Sequence, residues 1–427
     1  MTPPSQRRKR RTLGAFGVGV VSLVLLPLLS WVAVDALRSS TEGVALADVT
    51  PLVSATPAAL LEVLDADGQI ASVAMFALAP AEADSQPVGG TVVVVPAGGD
   101  TYLPDGTRGR LGDSYRLEGI SGFLSTAEGL LGVSFEAGAV LPAGGVGALL
   151  GDVGQIQVDL PTAVLSDQRG TVVTRFPAGP TRLTADEIGE VLAATSSTVG
   201  EVDRLPDVDA VWRAISARVG SGLTSGLQPG DGGASETSGD FEGFVRSLLA
   251  GPLQVHTLSV EPVTSSTENP DGLDLLRLDT GEVTVVMATI APSSVSPPFP
   301  TLSFYVKSSL GDPAMTKDAV ERLLLAGANV VLVTENPDEA PPSVTQVIYA
   351  DPNDSDESER FAGQLGAYVS SEAEVRIDGV DVTYVLGESY REERRDAVAA
   401  GTSSSTTEAS GSVGSTTGTD ATVSTDD

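Results

Sequence analysis

The chain has 427 residues, 41% hydrophobic and only 4% aromatic, with no cysteine and a single histidine. Its 25 basic residues face 57 acidic ones, a formal charge of −32 that repels nucleic acid, anionic lipid and anionic wall polymers and argues against a DNA-binding regulator. Lack of cysteine excludes thiol chemistry, disulfides and Cys-based zinc sites, and one histidine cannot build a His-rich metal centre.

The chain opens with a basic tail over residues 1–12, in which Arg7, Arg8, Lys9, Arg10 and Arg11 stand in a row. An uncharged apolar stretch follows from Leu13 to Val34. At 1.5 Å per residue it makes a helix of about 33 Å, enough to cross a bilayer core of about 30 Å. Basic flanks stay cytoplasmic, so the sequence predicts a single-pass cell-membrane protein with its bulk outside the membrane. A cleaved signal peptide is the alternative. Its apolar core would be shorter, about 7–15 residues, with a small-residue cleavage site close behind. The candidate, Ala45-Leu46-Ala47, lies well past Val34. Arg38 to Asp48 reads as a short polar tether, and the part beyond the basic cluster carries about −37.

From about Ala55 to Arg218 strand and helix signals mix without an internal repeat. Ala71–Ala79, Val92–Val95, Ile156–Leu160 and Val172–Phe176 read as strands, being β-branched or apolar and bounded by Pro and Gly. Gly119–Leu131 has apolar residues at helical spacing, and Thr184–Ala194 opens with Thr184 followed by acids, a helix start. Asp207–Val219 is a further amphipathic helix with Asp207 as its expected cap. Residues 221–239 are Gly/Ser-rich and predict a flexible loop. A short helix, Phe241–Leu249, leads into expected strands at Leu253–Val260 and Val283–Ile290, and Ser293–Pro300 reads as a stiffer linker. His256 lies in the first of these strands, where the plain expectation is a satisfied or exposed strand residue.

A compact unit follows. Strand Leu302–Lys307, helix Thr316–Ala326, strands Val330–Thr334 and Thr345–Tyr349, helix Glu357–Val369 and strand Val382–Leu386 give the order β-α-β-β-α-β, an open sandwich with helices on one face. Asp351 to Glu357 is superficially like a calcium loop but has Asp356 where the glycine belongs and Ala362 where the glutamate belongs, so a turn and helix cap is the simpler reading. From residue 391 to 427 the chain is Ser/Thr/Gly-rich without apolar period and predicts disorder.

No GxxxxGK[ST], HExxH or GxSxG motif is present. One ordered series is more specific. Val92-Val93-Val94-Val95-Pro96-Ala97-Gly98-Gly99-Asp100-Thr101-Tyr102-Leu103 precedes Arg110-Leu111-Gly112-Asp113-Ser114-Tyr115. Then come a helix to Leu131, Gly132-Val133-Ser134-Phe135, and the run from Leu149 through Gly151-Asp152-Val153-Gly154 to Pro161. In order and spacing this resembles the LytR–CpsA–Psr (LCP) domain, with its Ser-Ile-Pro-Arg-Asp-Thr-Tyr-Val strand end and its helix ending in Leu-Leu-Gly-Ile. Phe176 to Thr184 is similar to the family's Gly-x-x-x-Leu-x-Gly turn. Tyr305-Val306-Lys307-Ser308-Ser309 and Val385-Leu386-Gly387-Glu388 resemble the opening and closing motifs of the LytR C-terminal domain.

The resemblance implies an α/β (α+β) architecture: one transmembrane helix (13–34), an LCP-like α/β/α domain (55–292), a LytR C-terminal-like β-α-β-β-α-β domain (301–390) and a disordered tail (391–427). LCP enzymes are phosphotransferases that move glycopolymers from a polyprenyl-pyrophosphate carrier to peptidoglycan, with Mg²⁺ and arginines holding the pyrophosphate. A loose phosphoryl transition state needs such fixed positive charge. This chain departs from the pattern there. The family's Arg-x-Asp falls on Gln69 and Ala71, its Pro-Arg-Asp arginine on Ala97 or Gly98, and its Tyr-x-Arg-x-Arg helix on Val191–Ser197, which has no basic residue. The later Asp-x-x-Arg-x-x-Arg-Gln-Gln is reduced to Asp203-Arg204 and an isolated Arg213.

Only Asp100, Arg110 and Arg204 carry over as residual catalytic candidates, with Tyr115 as a ligand-binding candidate. Their plain readings are a turn residue for Asp100 and surface cations for Arg110 and Arg204. The resemblance therefore implies a non-catalytic binding or scaffolding factor in cell-wall assembly, without cofactor or confident metal ligand, whose possible partners are a polyprenyl lipid or wall glycan. A divergent phosphotransferase using Mg²⁺ is the alternative, and a purely structural protein without a lipid pocket is the third.

Overall fold

A computed structural model describes residues 49–50, 55–80, 88–168, 170–223, 236–296 and 301–396. The expected membrane helix, its basic tail, most of the Gly/Ser-rich loop and the chain beyond residue 396 lie outside these. Among the described residues no helix is long and apolar enough to cross a membrane.

The first unit is built on a six-stranded mixed sheet. Its strands are β1 (Ala58–Leu64), β2 (Ile70–Leu78), β3 (Gly90–Val95), β6 (Ala137–Pro142), β11 (Glu236–Ser238) and β12 (Leu253–Thr257), in the spatial order β11-β6-β1-β2-β3-β12. β1–β2, β2–β3 and β11–β6 are antiparallel, whereas β1–β6 and β3–β12 are parallel. Between β3 and β6 lie the small ribbon β4 (Asp100–Tyr102) and β5 (Arg108–Arg110) and then helix α1 (Asp113–Leu131). After β6 come α2 (Ala143–Leu149), β7 (Ile156–Leu160), the hairpin β8 (Val164–Gln168) and β9 (Thr171–Phe176), and β10 (Gly179–Leu183), which pairs with β7. Helices α3 (Ala185–Ala193), α4 (Glu201–Val219) and α5 (Phe241–Leu249) complete this side. A second small ribbon, β13 (Val260–Pro262) with β14 (Leu276–Leu278), leads to α6 (Thr280–Ile290).

Alternation along the strands sorts side chains to two faces, because successive Cβ atoms point oppositely. Leu61, Phe76 and Val92 meet Ile188 of α3, Trp212 of α4 and Phe241 of α5 in one core. Phe76 stands edge-on to Trp212 at 5.6 Å and stacks on Phe241 at 6.1 Å, a favourable aromatic arrangement. Leu60, Met75 and Val93 face the opposite way, onto Phe123, Ala127 and Leu131 of α1 and Met287 of α6. The unit is thus an α/β/α sandwich, as the sequence suggested.

The second unit has strands β15 (Ser303–Ser308), β16 (Asn329–Glu335), β17 (Thr345–Tyr349), β18 (Tyr368–Glu372) and β20 (Val382–Leu386), ordered β16-β15-β20-β17-β18. Helices α7 (Pro313–Leu325) and α8 (Ser355–Ala362) accompany it, and a short β19 (Arg376–Ile377) pairs in parallel with Val49–Thr50. In its core Phe304 stacks on Tyr384 and meets Phe361 edge-on, with the Tyr384 hydroxyl donating to the Ser358 carbonyl at 2.6 Å.

Several expectations need correction. Val283–Ile290 is part of helix α6. Its largely apolar, β-branched run looks like a strand, but it is a helix gripped from two sides. Val283 and Met287 enter the first unit's core, and Ala288 enters the second's. Asp279 caps it, accepting from the Glu282 amide at 3.0 Å. Helix α4 starts six residues before Asp207 and holds Pro206 within its first two turns. Asp207 is not its cap; it accepts from the Thr162 amide at 3.0 Å and hydroxyl at 2.5 Å. Thr184 does cap α3, in a reciprocal box with Glu187. Glu236–Ser238, expected in a loop, is the edge strand β11. The helix expected to reach Val369 ends at Ala362, and Tyr368–Glu372 forms a fifth strand parallel to β17. Residues 388–396 are helical, past the expected start of disorder.

Candidate functional site

The strand β3 ends in a turn, Pro96 to Gly99, whose backbone is fastened on several sides. Gly112 N–H donates to the Ala97 carbonyl at 2.8 Å, and Leu276 N–H donates to the Gly98 carbonyl at 2.8 Å. The amides of Ala97 and Gly98 point at the carboxylate of Glu201, the first residue of α4, each to a different oxygen at 2.6 Å. Gly98 is required by this approach: a Cβ there would lie 2.7 Å from Glu201 Oε2 and 2.9 Å from the Asp274 carbonyl oxygen.

Two arginines flank the same carboxylate. Arg110, at the end of β5, places Nη2 3.8 Å from Glu201 Oε2. Arg204, one helical turn beyond Glu201, donates from Nη2 to the Ala71 carbonyl. Burial pushes the Glu201 carboxyl up from its ordinary range, opposed by Arg204, Arg110 and the two backbone amides. Burial pushes Arg204 down, with Glu201 pulling it back; a guanidinium stays charged nonetheless. Arg110 Nε and Arg204 Nη1 are both buried without a hydrogen-bond partner.

Asp100 stands opposite Arg110 in the β4–β5 ribbon, yet its carboxylate goes to Arg108. Arg108 Nε donates to Oδ1 at 2.6 Å and Nη2 donates to Oδ2, a bidentate fork. The structure therefore brings Arg110 and Arg204 together across Glu201, with Asp100 beside them but engaged elsewhere. Arg204, expected as a surface cation, is tied to the sheet, and Asp100, expected in a turn, opens a strand.

Tyr115 belongs to a different group. It sits near the start of α1, partly packed in the core under that helix, where burial and then Glu236 and Glu62 raise its hydroxyl pKa. His256 pairs through Nε2 with Glu282 at 3.1 Å, in agreement with a satisfied strand residue.

Among the described residues no group of three or more acidic or histidine side chains lies close enough to hold a metal ion. With Asp100 held by Arg108 and Glu201 by two amides, the carboxylates as placed do not fit the Mg²⁺ that the family resemblance implies. Cavities of about 500, 470 and 440 Å³ lie elsewhere, and none takes a wall from Asp100, Arg110, Arg204 or Tyr115.

Sequence reasoning missed Glu201 and Glu62. Glu201 precedes Arg204 by three residues, which places both on one face of a helix. With the helix expected to begin only at Asp207, both residues lay outside it and the spacing gave no signal.

No family model and no curated protein matches the chain. Solved structures similar to it include a transcriptional regulator from Enterococcus faecalis (17% identity, 56% of this chain and 88% of that one, TM-score 0.37). TagV from B. subtilis (14%, 54% and 94%, 0.37) and TagT from B. subtilis (13%, 54% and 88%, 0.36) are further ones. A likeness at this level is distant.

Proposed function

We propose that this chain is a membrane-anchored cell-envelope protein whose LCP-like domain binds or scaffolds in cell-wall glycopolymer assembly without catalysing transfer. One observation carries the reading. Each arginine left at the candidate site is already committed, Arg108 to Asp100 and the Arg110–Arg204 pair to the one carboxylate of Glu201, which leaves a single net positive charge among the five groups. A pyrophosphate clamp needs several uncommitted cations, and losing one oxyanion donor typically costs about 2.7–4 kcal/mol of transition-state stabilisation. The acidic exterior adds repulsion for any polyphosphate. In this reading the amino terminus is cytoplasmic, the bulk is outside the membrane, and no cofactor is needed.

The test uses the full chain in detergent, with a radiolabelled polyprenyl-pyrophosphate glycan, Mg²⁺ and peptidoglycan. No transfer is expected. Transfer that disappears in Asp100→Ala would overturn the proposal and establish the second reading, a divergent phosphotransferase. That second reading has its own support in the unpartnered Nε of Arg110 and Nη1 of Arg204.

A further inference from the structure

Glu62 lies in the middle of β1, its side chain on the face that packs under α1. It is fully buried, and neither carboxyl oxygen has a hydrogen-bond partner. Its neighbours across the sheet are Val73 on β2 and Val140 on β6. Glu236 on β11 is the next residue in the same row, opposite Val140. Among the described residues, the titratable groups facing Glu62 are Glu236 from β11 and Tyr115 from α1, and neither is a cation. An ionised carboxylate in such a place costs far more than a neutral one.

Helix α1 is broken where it crosses this spot. Glu118 and Gly119 leave helical geometry, Gly119 with φ +64° and ψ −157°. The Ile120 amide freed by the break donates to Glu236 Oε2 at 2.9 Å. A Cβ on Gly119 would lie 3.1 Å from the same oxygen, so the break is shaped around Glu236. Tyr115, in the first half of α1, shares Glu236 as a hydrogen-bond partner with the Ile120 amide that opens the second half, so Glu236 ties both halves of the helix beside an unpaired buried acid.

We propose that Glu62 is a proton-operated latch: as the neutral acid it lets the first half of α1 and strand β11 close over the sheet, and on ionising it drives that segment away. The proton goes to solvent, and the new carboxylate gains water only if residues 113–119 or Glu236 move. Because α1 begins three residues after Arg110, the same release would loosen the Arg110 side of the candidate site. The proposal does not depend on whether that site is catalytic.

The test is hydrogen–deuterium exchange of the full chain in detergent, corrected for intrinsic rates, between about pH 5 and pH 9. Protection of residues 113–122 and 236–240 is expected to fall at least about tenfold on raising the pH, while α3 and α4 are unchanged. Glu62→Leu and Glu62→Gln are expected to abolish that dependence, and Glu236→Gln, which takes away a charge that raises the Glu62 pKa, to move its midpoint downward in pH. Should Glu62→Gln fold poorly, Glu62→Leu, apolar in an apolar core, gives the same reading. Protection in the unsubstituted chain that does not change with pH, or the same change in Glu62→Leu, overturns the latch.

Discussion

Glu201→Ala removes one carboxylate and strips four groups of their partner at once. The Ala97 and Gly98 amides lose acceptors at 2.6 Å, and Arg110 and Arg204 lose their nearest counter-charge. Removing one member of a buried, hydrogen-bonded ion group costs about 3–5 kcal/mol, and a single unsatisfied buried donor about 1–3. We expect a loss of about 3–5 kcal/mol, equivalent to about 6–20 °C in Tm for a unit of this size. Urea unfolding can be followed through Trp212, which is 3% exposed on the same helix as Glu201. The stripped cradle is also an anion site, so sulfate should restore stability selectively in the variant. At a hundredfold excess over its Kd the recovery is about 2.7 kcal/mol. A loss below about 1 kcal/mol, the scale of an exposed ion pair, would mean that water replaces the carboxylate and that the cradle is not built around it.

Gly98→Ala should destabilise by about 1–3 kcal/mol, because its Cβ would press on Glu201 Oε2 and a backbone carbonyl; thermal melts of the full chain read this directly. Burial raises the Glu62 pKa well above the ordinary carboxylate value, with Glu236 adding to it. Stability from this group is therefore complete below about pH 4.3 and falls by about 1.4 kcal/mol per unit as pH rises toward the raised value. Chemical denaturation as a function of pH should show this slope, and Glu62→Leu should flatten it. Ala288→Asp puts an unpaired carboxylate on the face of α6 that is 0% exposed in the second unit's core, and calorimetry should then resolve two transitions where the unsubstituted chain has one.

The sandwich core was legible because its strands and helices keep one period over many residues. Val92–Val95 and Ile156–Leu160, read as β-branched or apolar runs bounded by Pro and Gly, and the short helix Phe241–Leu249 appear in the fold essentially as expected. Helix α6 was not legible, since a helix buried on two sides loses the polar stripe that marks the 3.6 period. Pro206, the sixth residue of α4, concealed its start, because a proline beyond the first turn removes an amide bond to residue i−4 and so reads as a helix boundary. Of the candidate site, Asp100, Arg110 and Arg204 were read from motif order, and they do lie near one another. What could not be read was their pairing. A carboxylate from a distant helix, Glu201, decides the electrostatics of the turn after β3, and its separation of about a hundred residues leaves no local signal.

Helix α6 leaves the chain without a natural place to be divided. Its Met287 side completes one core and its Ala288 side another, and the Lys317 ammonium of α7 reaches back to Asp279 at its cap. A cut after Ile290 would strip an apolar helix face bare rather than release a finished domain. A load applied at the carboxyl-terminal unit is likewise carried across a helix that both cores grip.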